Sequence, residues 1–161
     1  MGNVDEITIE LAKSATDEVR ILVDELEREL SAEYPPEQRH GLKLDALFQP
    51  HVRFFLARLG GSAAGCGGVA LFAGFAEVKR MYVRDVARGR GVAQTLLKRI
   101  EMETRSAGLS ILRLETGDRQ LAAQRLYSRA GFQSCAVFGA YAAMAPHSIA
   151  TSVFLEKRLK A

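Results

Sequence analysis

Apolar and polar residues along the chain follow two different periods, and the places where one gives way to the other mark its elements. In residues 4–11, Ile7, Ile9 and Leu11 alternate with Thr8 and Glu10, the pattern of a half-buried strand. The spacing then lengthens, so that Val19, Leu22, Val23, Leu26 and Leu30 fall on one side of a helix. Ser14-Ala15-Thr16-Asp17 precedes it as a capping box, with an acid following the serine at the third position. Glu25, Glu27 and Glu29 are expected to form a solvated outer face. Tyr34-Pro35-Pro36 ends the helix, because proline cannot continue it and restricts the residue before it. Residues 37–50 begin polar and then carry Leu42, Leu44, Leu47 and Phe48, predicting a short second helix.

Residues 52–59 are strand-like, Gly60-Gly61 is a two-residue hairpin turn, and residues 62–72 return as a second strand. Gly65, Gly67 and Gly68 weaken that strand, which predicts a bulge or close packing against a neighbour. A turn near Ala73-Gly74 leads to residues 77–83, where Met81, Tyr82 and Val83 run together as in a strand covered on both faces. Val92, Ala93, Leu96, Leu97, Ile100 and Ala107 share one face of a helix over residues 94–107, stopped by Gly108. Residues 110–116 form another strand, and the intervening helix makes that pair parallel. Leu121, Ala122, Leu126 and Ala130 form a last helical stripe ended by Gly131, followed by strands over 132–138 and 151–158. Residues 139–149 receive no assignment. The order predicts an α/β fold in which a mixed sheet carries helices on both faces.

At 161 residues, with 48% hydrophobic and 25% charged residues, residues 1–161 are expected to form a single globular domain. The net charge of +3 fits a polyanionic small ligand as well as nucleic acid. Cys66 and Cys135 stand far apart in apolar runs and read as buried reduced thiols. His40, His51 and His147 are isolated from both, so no metal site is expected. The first residues lack a basic segment followed by an apolar one, and no run is long enough to span a bilayer, so a cytoplasmic location is expected.

The chemistry centres on Arg88-Gly89-Arg90-Gly91-Val92-Ala93, placed between a hydrophobic strand and a strong helix. A helix begins with N–H groups that lack intrahelical partners and with the positive end of its dipole. Glycines allow a ligand close to those donors and arginines add charge, so the turn suits a phosphate or diphosphate. Other phosphate motifs fit poorly: Gln94 stands where a third glycine would complete G-x-G-x-x-G.

Arg88, Gly91 and Ala93 match the (Q/R)-x-x-G-x-(G/A) signature, and Leu126-Tyr127-Ser128-Arg129-Ala130-Gly131-Phe132 matches L-Y-x-x-x-G-F. With these two motifs the chain resembles the GCN5-related N-acetyltransferase (GNAT) family, and the element order extends the likeness over nearly its whole length. Leu114-Glu115-Thr116-Gly117 and Ser152-Val153-Phe154-Leu155-Glu156-Lys157 resemble a bacterial, small-molecule-type subgroup, although residues 142–150 look longer than usual there.

The resemblance implies a GNAT fold: a mostly antiparallel mixed sheet of about seven strands with one parallel pair splayed at the cofactor site. It implies acetyl-coenzyme A as cosubstrate, with the diphosphate on Arg88, Gly89, Arg90, Gly91, Val92 and Ala93. Met81, Tyr82 and Val83 would bind the pantetheine arm through their backbone, and Gln120 would bond it where many relatives carry asparagine. Tyr127 would be the general acid. Glu77 and Glu115 are alternative bases, against readings of Glu77 as an exposed strand-end carboxylate and of Glu115 as a partner of Arg113 or Lys79. The expected acceptor is a small-molecule amine or amino acid, with Tyr34, Phe48 and Tyr141 as pocket candidates. Neither nucleic acid nor a membrane is expected as partner, and a homodimer is left open. A noncatalytic acetyl-coenzyme A sensor and a basic nucleic-acid-binding domain, using Lys79, Arg80, Arg84, Arg88, Arg90, Lys98 and Arg99, are the competing readings.

Overall fold

The computed structural model describes residues 6–160. A seven-stranded sheet runs in the order β1 (Ile7–Leu11), β2 (Val52–Leu59), β3 (Ser62–Leu71), β4 (Ala76–Val83), β5 (Ile111–Gly117), β7 (Ser152–Arg158) and β6 (Gln133–Ser134). All neighbours are antiparallel except β4 and β5, which are parallel across the crossover helix α2 (Val92–Ser106). The mixed sheet and its parallel pair are as expected from the sequence. Val4 lies outside the described residues.

The strand β2 shows why helices cover both faces. Its side chains alternate across the sheet, and Phe54, Phe55, Leu56 and Ala57 are all buried, so each face must be covered. Phe54 and Leu56 pack with α1 (Asp17–Glu33) through Val19, Leu22, Val23 and Leu26. Phe55 and Ala57 join the opposite core, with Leu96, Leu97 and Ile100 of α2 and Tyr127 of α3 (Leu121–Arg129). Gly60 and Gly61 adopt positive φ angles of 58° and 89°, as the two-residue turn between Leu59 and Ser62 requires.

Several local expectations are corrected. The cap of α1 is Thr16, whose hydroxyl accepts from the Val19 amide at 3.4 Å, so the capping box at Ser14 does not form. Residues 36–50 hold two short 3-10 helices, Pro36–Gln38 and Leu44–Phe48, in place of the α-helix expected over 37–50. Within residues 132–138 the strand spans only Gln133 and Ser134, followed by one further bond from the Cys135 amide to the Phe154 carbonyl of β7 at 3.0 Å. Beyond them Phe138 turns onto Phe154 and Tyr141 in a separate aromatic cluster, which takes the backbone off the sheet. The unassigned 139–149 stretch holds two more 3-10 helices, Gly139–Ala143 and Pro146–Ile149. No helix among the described residues is long and apolar enough to cross a membrane.

Candidate active site

A cleft opens in the sheet because β4 and β5 stay together for two residue pairs only, Ala76 with Leu112 and Glu77 with Arg113. A bulge accentuates the divergence. Between Gly68↔Lys79 and Cys66↔Tyr82, three steps along β4 oppose two along β3, and Arg80 takes φ 52°, a conformation uncommon for a residue with a Cβ. The glycines of β3 explain how this is accommodated. A Cβ on Gly65 would lie 2.5 Å from the Tyr82 carbonyl oxygen, and one on Gly67 would lie 3.1 Å from the Met81 sulfur. Past Glu77, the β4 backbone groups directed away from β3 therefore have no strand partner.

One cavity, of about 530 Å³, lies along this edge and reaches Tyr82, Val83, Arg88, Gly89, Ala93 and Gln94. Gly91 caps α2 with φ 88°, and no side chain caps the amides that follow. Thr95 is the first to return a helical hydrogen bond, to the Gly91 carbonyl at 3.1 Å. The Val92, Ala93 and Gln94 amides are therefore open donors at a positive dipole end, and a Cβ on Gly89 would meet nothing within 4 Å. These features fit a diphosphate and an extended amide-bearing arm. Arg88, which lines the cleft, is also engaged within the protein. Its guanidinium bonds Glu29 at 2.8 Å, Asp85 and the Val83 carbonyl at 3.0 Å, so it braces the turn to α1. Arg90 is exposed at the turn. Arg125 and Arg129, four residues apart on α3, line the cleft and were missed from sequence; their spacing beside the Leu126 stripe was the available signal.

A second cavity, of about 120 Å³, lies between the C-terminal half of α1, the 38–41 loop, β4 and β5. Glu77 and Glu115 both line it. Glu77 is buried and locked: Lys79 Nζ lies 2.8 Å from its Oε2, and the Tyr141 hydroxyl donates to the same oxygen at 2.6 Å. It is not an exposed strand-end carboxylate. Glu115 pairs with neither Arg113, which bonds Glu156 at 3.1 Å, nor Lys79. It accepts from the Ser152 hydroxyl at 2.6 Å, and burial raises its carboxyl above the usual range, opposed by that hydrogen bond and by the positive fields of His40 and Lys79. Tyr34 and Tyr141 line the cavity, whereas Phe48 packs edge-on against Phe54.

The two cavities meet at Leu26, Met81, Gln120, Ala123 and Tyr127. Tyr127 is 5% exposed, its hydroxyl has no hydrogen-bond partner among the described residues, and its ring contacts Phe132 edge-on at 5.6 Å. Burial disfavours its phenolate, so the hydroxyl keeps its proton. Gln120 stands at the N-cap of α3 with its backbone held by Gly117 at 3.1 Å, and its side chain makes no cap bond.

Most of the basic residues near the turn are engaged within the protein. Lys79 pairs with Glu77, Arg80 with Glu27, Arg84 with Glu25 at 2.8 Å and Arg99 with Glu103 at 3.1 Å. Glu25, Glu27 and Glu29 are thus half-buried anchors for Arg84, Arg80 and Arg88, in β4 and the turn after it, and the expected solvated face is corrected. Cys66 is buried, which pushes its thiol up to about 12; Cys135 is only partly so. Among the described residues, no cluster of three or more His, Cys, Asp or Glu side chains is arranged to hold a metal ion.

The acetyltransferase (GNAT) family model matches residues 19–132. The chain is 43% identical over 155 residues to an IAA acetyltransferase of Azospirillum brasilense, covering 95% of this chain and 98% of the relative. It is similar to a crystal structure from Klebsiella pneumoniae subsp. pneumoniae described as an acyl-CoA N-acyltransferase, with TM-score 0.76, 31% identity and coverage of 97% and 99% of the two chains. Its fold also matches the PaiA N-acetyltransferase of Thermoplasma acidophilum solved with coenzyme A, at TM-score 0.66 and 16% identity over 94% of this chain and 99% of that one.

Proposed function

The chain belongs to the acetyltransferase (GNAT) family and is an acyltransferase, and from that premise we propose that it moves the acetyl group of acetyl-coenzyme A onto a primary amine of a small molecule. The transfer is a direct attack with both substrates bound. The observation that carries this reading is the meeting of an elongated cleft and a small polar cavity at Met81, Gln120 and Tyr127.

Acetyl-coenzyme A, when bound, supplies the acetyl group as a thioester whose C–S bond is exchanged for a C–N bond to the acceptor. The amides of residues 92–94 hold the diphosphate, with Arg125 and Arg129 adding positive charge along the cleft. The unpaired edge of β4 around Met81 and Val83 receives the pantetheine amides as a sheet edge receives a strand, and Gln120 lines the same stretch.

An acceptor amine with a reference pKa of about 10 enters as an ammonium and leaves as an amide, so two protons must go. Glu115 takes the first and passes it to solvent. Its raised proton affinity makes it a better base than an ordinary carboxylate, and Ser152 fixes its orientation. Glu77 is the weaker candidate, since Lys79 and Tyr141 already occupy its Oε2. Tyr127, at the junction of the two cavities, would donate its proton to the departing thiolate, and the amine's second proton would restore its phenol.

Thiol release from acetyl-coenzyme A with a panel of small amines and amino acids tests the proposal. Acceptor-dependent release is expected. Tight cofactor binding without release would favour a sensor instead.

A further inference from the structure

Two walls of the acceptor cavity carry unbalanced charges of opposite sign. On the wall built from the 38–41 loop and β4, Arg39 and Arg80 share a single carboxylate. Arg39 Nη1 lies 3.0 Å from Glu27 Oε2, Arg80 Nη1 pairs with Glu27 Oε1, and neither has another acidic partner among the described residues. Arg80 also donates to the Leu42 carbonyl at 2.8 Å, while the Nε of Arg39 is buried with no hydrogen-bond partner. Two guanidiniums against one carboxylate leave that wall with one positive charge in excess.

On the β5 wall the imbalance is reversed. Glu115 has no cation within ion-pair distance among the described residues, and its hydrogen-bond donor is the neutral Ser152 hydroxyl. Glu77, the cavity's other carboxylate, is already matched by Lys79 at 2.8 Å. The remaining lining includes Leu26, Leu30, Val78 and Leu114, all apolar.

We propose that the acceptor is a zwitterionic aminocarboxylate of amino-acid size with an apolar side chain, its carboxylate on Arg39 and its amine toward Glu115. This deepens the acetyltransferase reading and rests on it. A planar guanidinium binds a carboxylate through two parallel N–H bonds, so Arg39 selects for that group more sharply than a diffuse positive field would. A simple amine leaves the Arg39 wall unmatched, and a diamine is repelled by it. The volume of about 120 Å³ suits a ligand of this size.

Matched acceptor pairs test this: L-leucine against L-leucinamide and L-methionine against L-methioninamide, with acetyl-coenzyme A saturating. Each amide keeps the amine and the side chain and loses only the negative charge. Its amine is the less basic of the two, so intrinsic reactivity near neutral pH favours the amide. The acids are expected to show kcat/KM higher by about 10-fold or more, mostly through KM, as a charge-assisted hydrogen bond implies. In Arg39→Gln the preference collapses toward unity, the acid's KM carrying the loss. An unchanged thermal midpoint and coenzyme A affinity report that this variant is folded.

Amides that match or beat their acids in the unsubstituted protein overturn the proposal, as does an acid preference that survives Arg39→Gln. If other amines of the panel are acetylated and no member of either pair is, the proposal is overturned; if no amine at all releases thiol, it is the enzymatic reading that falls. Calorimetry with leucine and leucinamide in the presence of coenzyme A then still decides the carboxylate site, and equal or weaker binding of leucine refutes it.

Discussion

Glu115 holds its proton more tightly in the folded protein than in the unfolded chain, because burial outweighs the Ser152 hydrogen bond and the fields of His40 and Lys79. The folded state therefore binds more protons than the unfolded one as pH rises above the ordinary carboxylate value, and ionising Glu115 subtracts from stability through that window. Two outcomes follow for Glu115→Gln. Turnover falls by about 10²–10⁴-fold, the usual contribution of a general base, while the thermal midpoint at neutral pH is maintained or raised. The acidic limb of the kcat/KM profile lies above the usual carboxylate range and vanishes in the variant; a limb that persists unchanged removes Glu115 as the base. For Tyr127→Phe, turnover falls by about 10²-fold or more with coenzyme A affinity unaltered, checked by steady-state kinetics and calorimetry. That Tyr127, Gln120 and Glu115 line the cavities was legible because each stands in or beside a motif. The locking of Glu77 was not, since its partner Tyr141 is distant in sequence and arrives only when residues 139–143 fold onto the sheet.

Among the elements, the turn into α2 was legible because glycines at positive φ and a helix start leave a local signature. Gly91→Leu strains the left-handed cap and crowds the open amides, so loss of coenzyme A binding by calorimetry is expected; binding that stays intact contradicts the cradle. The glycines of β3 predicted a bulge or close packing, and both occur, but the placing of the extra step on β4 at Arg80, an uncommon residue for a positive φ, was not readable. Gly65→Val pushes a side chain into the Tyr82 carbonyl and is expected to cost about 1–3 kcal/mol in denaturant unfolding, with weakened cofactor binding alongside. The acidic side of α1 was misread for a related reason. Helical period shows which residues leave the apolar stripe, but it cannot show that Arg84 and Arg80 wait opposite Glu25 and Glu27.

For the whole molecule, the strand and helix order was readable because glycine or proline flanks β2, β3, β4, β5 and β6 on at least one side and a period change marks each helix. The two cavities were not, since the divergence of β4 from β5 depends on pairing that stops after Glu77 and Arg113. Net charge misleads at this scale too. Much of the positive charge near the cleft is consumed by ion pairs with α1, which weakens the nucleic-acid reading without appeal to composition. The account's central claim is that one ligand spans from the α2 amides to the junction at Tyr127. A crystal structure with acetyl-coenzyme A bound tests it most directly. Density for the diphosphate against residues 91–94 and for the acetyl group beside Tyr127, opening toward Glu115, is the predicted result; a cleft empty at saturating ligand, or a cofactor bound elsewhere, contradicts it.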